Sequence, residues 1–405
     1  MADAREFDVA IIGAGIAGSA LAAALSGNGL SIALVESRPL TRPHLPSALD
    51  VQQFDARVSA LTPRSREMLQ DLGAWQAIAG YRHCPYGHMT VWDAEGTGEI
   101  EFDCAEVNAP ALGYIVENRA IVAALLDEIA GAADVTTFSP ARLEACTRLD
   151  ASKMKVVLEG GDSLQAALVV AADGAESKVR EMMGFHTREW DYHHRAIVTT
   201  VRVEQSHRET AWQRFLPSGP LAFLPLPGTP GQHFCSIVWS LQEVLVDPLL
   251  ALGDEAFCAE LTQAFEGRLG RVLAASPRFA FPLRQRHAVD YVQGGVALVA
   301  DAAHTIHPLA GQGINLGLQD VAVLAEEILA GQLRGAAPGQ LELLRRYQRR
   351  RKGENLLMMT AMEGFKRLFE QQSLPLRWLR NAGMRGVGRL GPLKQQVIRR
   401  AMGLA

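Results

Sequence analysis

The residues best suited to chemistry near the start of this 405-residue chain are three glycines and an acid: Gly13-x-Gly15-x-x-Gly18, with Glu36 eighteen positions after the last glycine. In such a run the first glycine allows a tight turn, the second lets the backbone approach a pyrophosphate, and the third lets a helix close on a strand. The helix that follows offers free N–H groups and the positive end of its dipole to phosphate. Gly13, Ala14, Gly15 and Gly18 are therefore expected to bind a dinucleotide, and Glu36 to accept its ribose hydroxyls. The same spacing recurs at Gly386-x-Gly388-x-x-Gly391. No strand pattern precedes that copy and no helix opens from it, so it is expected to be structural. NAD and FAD share this fingerprint, and the glycines alone leave the choice open.

These residues need elements to hold them. Residues 9–12 form the apolar run of a buried parallel strand. Residues 16–26 are Ala-rich and helix-competent, with Gly27 and Gly29 ending them. Residues 31–35 are a second strand, which completes a βαβ unit. Further parallel-type strands are expected at 167–172, leading into Asp173-Gly174, and at 296–300, leading into Asp301. A long helical pattern runs from about 315 to 329. Between these segments lie alternating strand patterns, clearest at 197–203 and 234–241. Two Pro-rich stretches, 216–230 and 276–282, are expected to be loops or edge strands. The expected fold class is α/β, with a discontinuous Rossmann-like cofactor-binding domain (1–75, 105–184 and 281–340). An inserted, mainly antiparallel β-sheet domain (76–104 and 185–280) is expected to hold substrate, followed by a basic C-terminal helical region (341–405).

Two more motifs narrow the cofactor. Asp173-Gly174-Ala175-Glu176-Ser177-Lys178-Val179-Arg180 follows one strand, and Asp301-Ala302-Ala303-His304 follows another. The latter continues as His307-Pro308-Leu309-Ala310-Gly311-Gln312-Gly313-Ile314-Asn315. With the N-terminal glycines, these runs resemble the three-part pattern of the flavoprotein aromatic hydroxylases of the para-hydroxybenzoate hydroxylase type. The runs from Asp55 to Ala60, from Ile115 to Arg119 and from Ala302 to Gly313 are similar to the ubiquinone-biosynthesis ring hydroxylases, as is the tail. That resemblance covers essentially the whole chain.

The resemblance implies FAD as cofactor, NAD(P)H or a protein electron donor as reductant, and molecular oxygen as co-substrate. It implies hydroxylation of a polyprenylated phenol or quinol through a flavin C4a-hydroperoxide. Asp301, at a strand's carboxyl end, is then placed for ribityl or ribose hydroxyls; the alternative is a helix N-cap. Pro308, Gly311 and Gln312 would form the loop beside the flavin ring. Gly313, Ile314 and Asn315 would open a helix whose positive end faces the flavin N1–C2 edge. Arg57 is expected near the ring and Arg119 at the pyrophosphate, a good guanidinium target. Asp173 is expected on the cofactor or reductant side, against a turn-stabilising role. One position departs from the pattern: Ala300 replaces the glycine before Asp301. Its methyl is expected to tighten local packing or slightly weaken FAD retention. Asp301, His304 and His307 have a metal-like spacing, but Pro308 breaks any helix that would align them, so no metal is expected and the histidines should bond within the loop.

Composition excludes other classes. With 40 Lys+Arg against 44 Asp+Glu and 48% apolar residues, the chain is neither disordered nor a dedicated nucleic-acid binder. Five cysteines, none in a C-x-x-C pair, fit a reducing compartment. No basic segment followed by an apolar one opens the chain, so no signal peptide is expected. The expected location is the cytoplasm. From Arg334 onward there are 16 Lys+Arg and 4 Asp+Glu. This basic tail is expected either to pack on the FAD domain or to dock on a membrane surface or a ubiquinone-biosynthesis complex. Two rivals share the FAD motifs: a flavin oxidase or dehydrogenase of another substrate class, and a non-catalytic FAD-binding scaffold.

Overall fold

Val9, Ala10, Ile11 and Ile12 are buried in the strand Arg5–Ile12, at the centre of a parallel sheet. The computed structural model describes residues 5–305, 313–370 and 391–403. In the parallel sheet the order is Val292–Gln293, Val296–Leu298, Ser163–Ala171, Arg5–Ile12, Ile32–Val35, Val135–Phe138. All neighbours from Val296–Leu298 onward run parallel, and the hairpin Leu143–Arg148 with Met154–Leu158 is added antiparallel to the outer half of Ser163–Ala171. Helices Ile16–Leu25, Asn118–Ile129 and Gly313–Gln332 pack together with the sheet in the largest core.

A second sheet has nine strands, with Thr187–Val203, His233–Gln242, Gly219–Leu226, Thr210–Leu216 and His88–Asp93 in sequence across its middle. All its pairings are antiparallel except that between Thr210–Leu216 and His88–Asp93. Alternation sorts its two faces. Leu221, Phe223, Cys235, Ile237 and Trp239 turn to the helices Glu243–Leu250 and Asp254–Ala264. Leu224, Leu226 and Phe234 turn the other way, onto Val51, Phe54, Ala60, Cys84 and Ile115. Three of the latter lie in a small sheet of Val58–Leu61, Gly113–Glu117 and Cys84–Tyr86, wedged between the two large ones.

Two expectations need correction. The stretch 216–230 contains the interior strand Gly219–Leu226, not a loop or edge. Its prolines are tolerated because each lies where the ladder is one-sided. Pro220 pairs only with Phe215, and Pro225 only with Cys235, so neither missing N–H breaks a two-sided ladder. Second, residue 281 does not mark a return to the parallel sheet. It falls inside the strand Phe279–Ala288 of the nine-stranded sheet, and the chain rejoins the parallel sheet only at Val292–Gln293.

The basic helix Leu341–Glu370 packs on Gly313–Gln332, and its Leu343, Leu344 and Tyr347 belong to the largest core. Among the described residues no helix is long and apolar enough to cross a membrane. The second glycine triplet falls mostly outside the described residues, but its Gly391 opens the helix Gly391–Ala401, which the sequence pattern does not announce.

Candidate functional site

The glycine turn is built by close approach. Gly13 has φ +101°, and a Cβ on it would lie 2.5 Å from the Ala172 carbonyl oxygen. A Cβ on Gly18 would lie 1.8 Å from the Gly13 carbonyl oxygen. These two glycines let the first helix sit down on the sheet. Gly15 differs: a Cβ there meets nothing within 4 Å. It caps Ile16–Leu25 with no side chain of its own, so the helix N-terminus opens on space that a phosphate can enter. Glu36 stands at the end of Ile32–Val35. One carboxylate oxygen accepts from the Ala14 N–H at 2.9 Å, and the other from Ser37 Oγ and the Arg38 N–H, each at 3.1 Å.

Asp173 lies beside this turn. One oxygen caps the helix Lys178–Met182, accepting from the Lys178 N–H at 2.7 Å and the Val179 N–H at 3.3 Å. Its other oxygen is buried with no partner among the described residues. The turn-stabilising role is therefore present, with one acceptor to spare. Arg180 joins this turn to the third motif, donating to the Ala302 carbonyl at 3.0 Å and the Ala175 carbonyl at 2.6 Å.

Asp301 sits in the short turn Ala300–Ala302. Its side chain is exposed to solvent. Desolvation by the surrounding protein pushes its carboxyl up, while His304 and Arg57 pull against that. Arg57 is therefore near enough to Asp301 to act on its charge, and its guanidinium carbon lies 5.4 Å from the centre of the Phe281 ring.

Arg119 is held differently. Its guanidinium lies 2.5 Å from Glu117 Oε2 and also donates to the Gln53 carbonyl. Glu117 is 2% exposed, and Arg82 grips its other oxygen at 2.6 Å. Asn315 is also committed: its side chain accepts from the Thr62 N–H and donates to the Ala60 carbonyl, both at 2.9 Å. It fixes the start of Gly313–Gln332 against the small sheet, so its backbone rather than its amide group is what the site can use. Gly313 and Ile314 open the same helix, with Ile314 packed against the largest core. Pro308, Gly311 and Gln312 lie outside the described residues, as does His307. His304 does not bond within its loop as expected: Nε2 meets Asp320 at 2.5 Å, because the turn folds it inward to 1% exposure. Among the described residues no cluster of three His, Cys, Asp or Glu side chains forms a metal site.

Ala300 adopts φ +52°, a left-handed conformation that costs an alanine about 1–2 kcal/mol. Its methyl has a neighbour on the chain itself. It points at the following helix, where a Cβ on Gly317 would lie 2.7 Å from it. The two positions form one packing unit. Gly317→Ala is expected to destabilise the protein by about 1–3 kcal/mol. In an Ala300→Gly background most of that loss should vanish, a coupling of about 1–2 kcal/mol. Urea denaturation of the four variants tests this; additive losses would refute it.

Sequence reasoning missed Arg82, Glu117, Asp320 and Asn355. Glu117 lies inside the run Ile115 to Arg119 but carries no chemistry of its own there, and the other three lie in no recognisable motif; apart from Arg351 with Asn355 on one helix, their charged partners come from another element. Buried charge in otherwise apolar strands and helices was the only signal available.

Compared with known proteins, residues 6–360 match the family model described as FAD binding domain. The chain is 39% identical over 399 residues to the 3-demethoxyubiquinol 3-hydroxylase of Escherichia coli (strain K12), covering 98% of both chains. It is 40% identical over 396 residues to ubiquinone hydroxylase UbiL of Rhodospirillum rubrum, covering 98% of this chain and 89% of the relative. Among solved structures, p-nitrophenol 4-monooxygenase PnpA of Pseudomonas putida DLL-E4 superposes with a TM-score of 0.78 at 19% identity, covering 98% of each chain. At that identity the structural match speaks for the fold.

Proposed function

The chain belongs to the FAD-binding-domain family, and on that premise we propose that it is an FAD-dependent monooxygenase hydroxylating the ring of a polyprenylated phenol or quinol in ubiquinone biosynthesis. The observation that carries this is the length of the likeness. Two relatives named as ubiquinone-type hydroxylases align with 98% of this chain, so the likeness takes in the nine-stranded sheet as well as the nucleotide-binding one.

The residues present fit FAD. The space above Gly15, the uncapped helix Ile16–Leu25 and the unpartnered oxygen of Asp173 are what a bound dinucleotide would fill. In this reading the Gly13–Ala14–Gly15 turn and helix N-terminus take the pyrophosphate, and Gly18 seats the helix. Glu36 takes ribose hydroxyls, and Asp301 those of the ribityl chain. The N-terminus of Gly313–Gln332 faces the ring, through Gly313, Ile314 and the Asn315 backbone, with Pro308, Gly311 and Gln312 beside it. Arg57 and Arg119 add positive charge at the ring side and the pyrophosphate side. When bound, FAD supplies the redox chemistry that splits oxygen between substrate and water. The balance is one aromatic C–H, one O2, NAD(P)H and one proton giving a phenolic C–OH, NAD(P)+ and water.

The protein's own part is to exclude water and orient the ring. The apolar cluster of Leu226, Phe234, Phe54, Ile115 and Cys84 packs between the sheets and keeps water out of that region. Part of the basic helix's charge is already engaged: Arg350, itself exposed, pairs with Glu326 and Glu327, Arg351 is buried, and Lys352 donates to the Val289 carbonyl. Arg345, Arg346 and Arg349 remain exposed. They are the group we assign to a cytoplasmic membrane surface or a partner of the same pathway.

The test is to supply the purified holoenzyme with NAD(P)H and a short-chain prenylphenol under 18O2. Substrate-stimulated NAD(P)H oxidation with one 18O atom in the product is expected. Oxidised product without 18O would establish the oxidase reading, and no stimulated turnover the scaffold reading. Deleting the gene and weighing the accumulating intermediate would then name the ring carbon.

A further inference from the structure

Asp320 has no exposed surface, yet it is surrounded by partners from three elements. One oxygen accepts from the Ala300 N–H at 3.1 Å and lies 2.5 Å from His304 Nε2. The other accepts from Arg351 Nε at 2.8 Å and Asn355 Nδ2 at 3.1 Å. Arg351 is 2% exposed and donates further to Asn355 Oδ1 at 2.7 Å and to Glu354. One turn earlier on the same helix, Tyr347 donates to the Leu298 carbonyl at 2.7 Å, at the end of the strand that leads into the turn. The basic helix therefore grips the segment 298–304 at its entry directly and at both ends of the turn through Asp320.

Asp301 lies between the two residues that Asp320 holds. The turn needs holding, because Ala300 is in a conformation that alanine rarely adopts without support. Burial opposes a charge on Asp320, but His304 and Arg351 keep its carboxyl below the ordinary carboxylate range. A buried carboxylate with four donors is a stiff anchor only while all of them are present.

We propose that Arg351 is a positioning residue of the cofactor site: through Asp320 it holds the turn 300–304 in the conformation that presents Asp301 to FAD. This rests on the reading of Asp301 as an FAD contact, and it makes the basic helix a part of the cofactor site rather than an appended tail.

The test titrates FAD into the apoprotein of the full chain, at a temperature where circular dichroism shows each variant folded. Arg351→Met is expected to weaken FAD binding roughly tenfold, the size of coupling within one hydrogen-bonded network. Arg351→Lys should recover most of the loss, and the visible spectrum of the bound flavin should shift in Arg351→Met and return in Arg351→Lys. Asp301→Ala should weaken binding at least as much. Wild-type affinity in a folded Arg351→Met overturns the proposal, as does a loss no larger than its unfolded fraction. Wild-type affinity in Asp301→Ala overturns the underlying reading as well. Should Arg351→Met fail to fold, Arg351→Gln and Asn355→Ala decide: each is expected to bind FAD several-fold more weakly, and wild-type affinity in both refutes the role.

Discussion

Gly15→Ala is expected to leave the apoprotein as stable as the wild type while removing most of its affinity for FAD, whereas Gly18→Ala should undo the fold around it. The two positions belong to one motif but face different things. At Gly15 the backbone is extended and a Cβ meets nothing within 4 Å, so the exchange at a helix N-cap should cost the empty protein less than about 1 kcal/mol. The new methyl would stand where a pyrophosphate must approach, and an affinity loss of roughly tenfold or more is expected. At Gly18 the Cβ would lie 1.8 Å from the Gly13 carbonyl oxygen. Backbone must move against backbone, at a cost of about 3 kcal/mol or more. Urea denaturation of both apoproteins and FAD titration of Gly15→Ala check this. Wild-type affinity in Gly15→Ala would remove the pyrophosphate from this turn, and a large stability loss there would make Gly15 structural.

Glu117→Ala should produce the largest stability loss of any single exchange outside the glycine turn, about 3–5 kcal/mol. The carboxylate is 2% exposed and lies between the guanidinium groups of Arg82 and Arg119, at 2.6 Å and 2.5 Å. It also accepts the Asp55 N–H at 2.6 Å. Without it, Arg82 is left buried with uncompensated charge, and the residues before Arg57 lose an anchor. Glu117→Gln keeps the shape and should cost less, and Arg82→Met with Glu117→Gln should recover part of the deficit by removing the stranded charge. Chemical denaturation of the three variants measures this. A loss below 1 kcal/mol in Glu117→Ala would show that water or another group takes over.

What was legible in the sequence follows from local physics. The βαβ start was legible because glycine spacing, an apolar strand and an acid at the next strand end constrain one another within 30 residues. The parallel and antiparallel segments announced themselves by continuous and alternating apolar runs. The strand Gly219–Leu226 was not legible, because proline argues against an interior strand unless the neighbours' register is known. Arg119 is a similar case. A guanidinium near a motif suggests phosphate, and the strand-to-helix junction also sets it against the buried Glu117, two residues back, an anchoring that no spacing announces.

The sequence by itself determined a dinucleotide-binding start, the alternation of sheets and the presence of a basic helix, since each depends on residue type and spacing along the chain; FAD in particular came from the resemblance to the flavoprotein hydroxylases. Only the tertiary structure decided which of those basic residues face solvent and which is buried. It also decided that Ala300 is accommodated by Gly317 and that the turn carrying Asp301 is held by Asp320. The reason is the same in each case. A buried charge or a left-handed alanine is stable only through partners that the fold brings from 16 to 35 residues away, and no local pattern records that meeting.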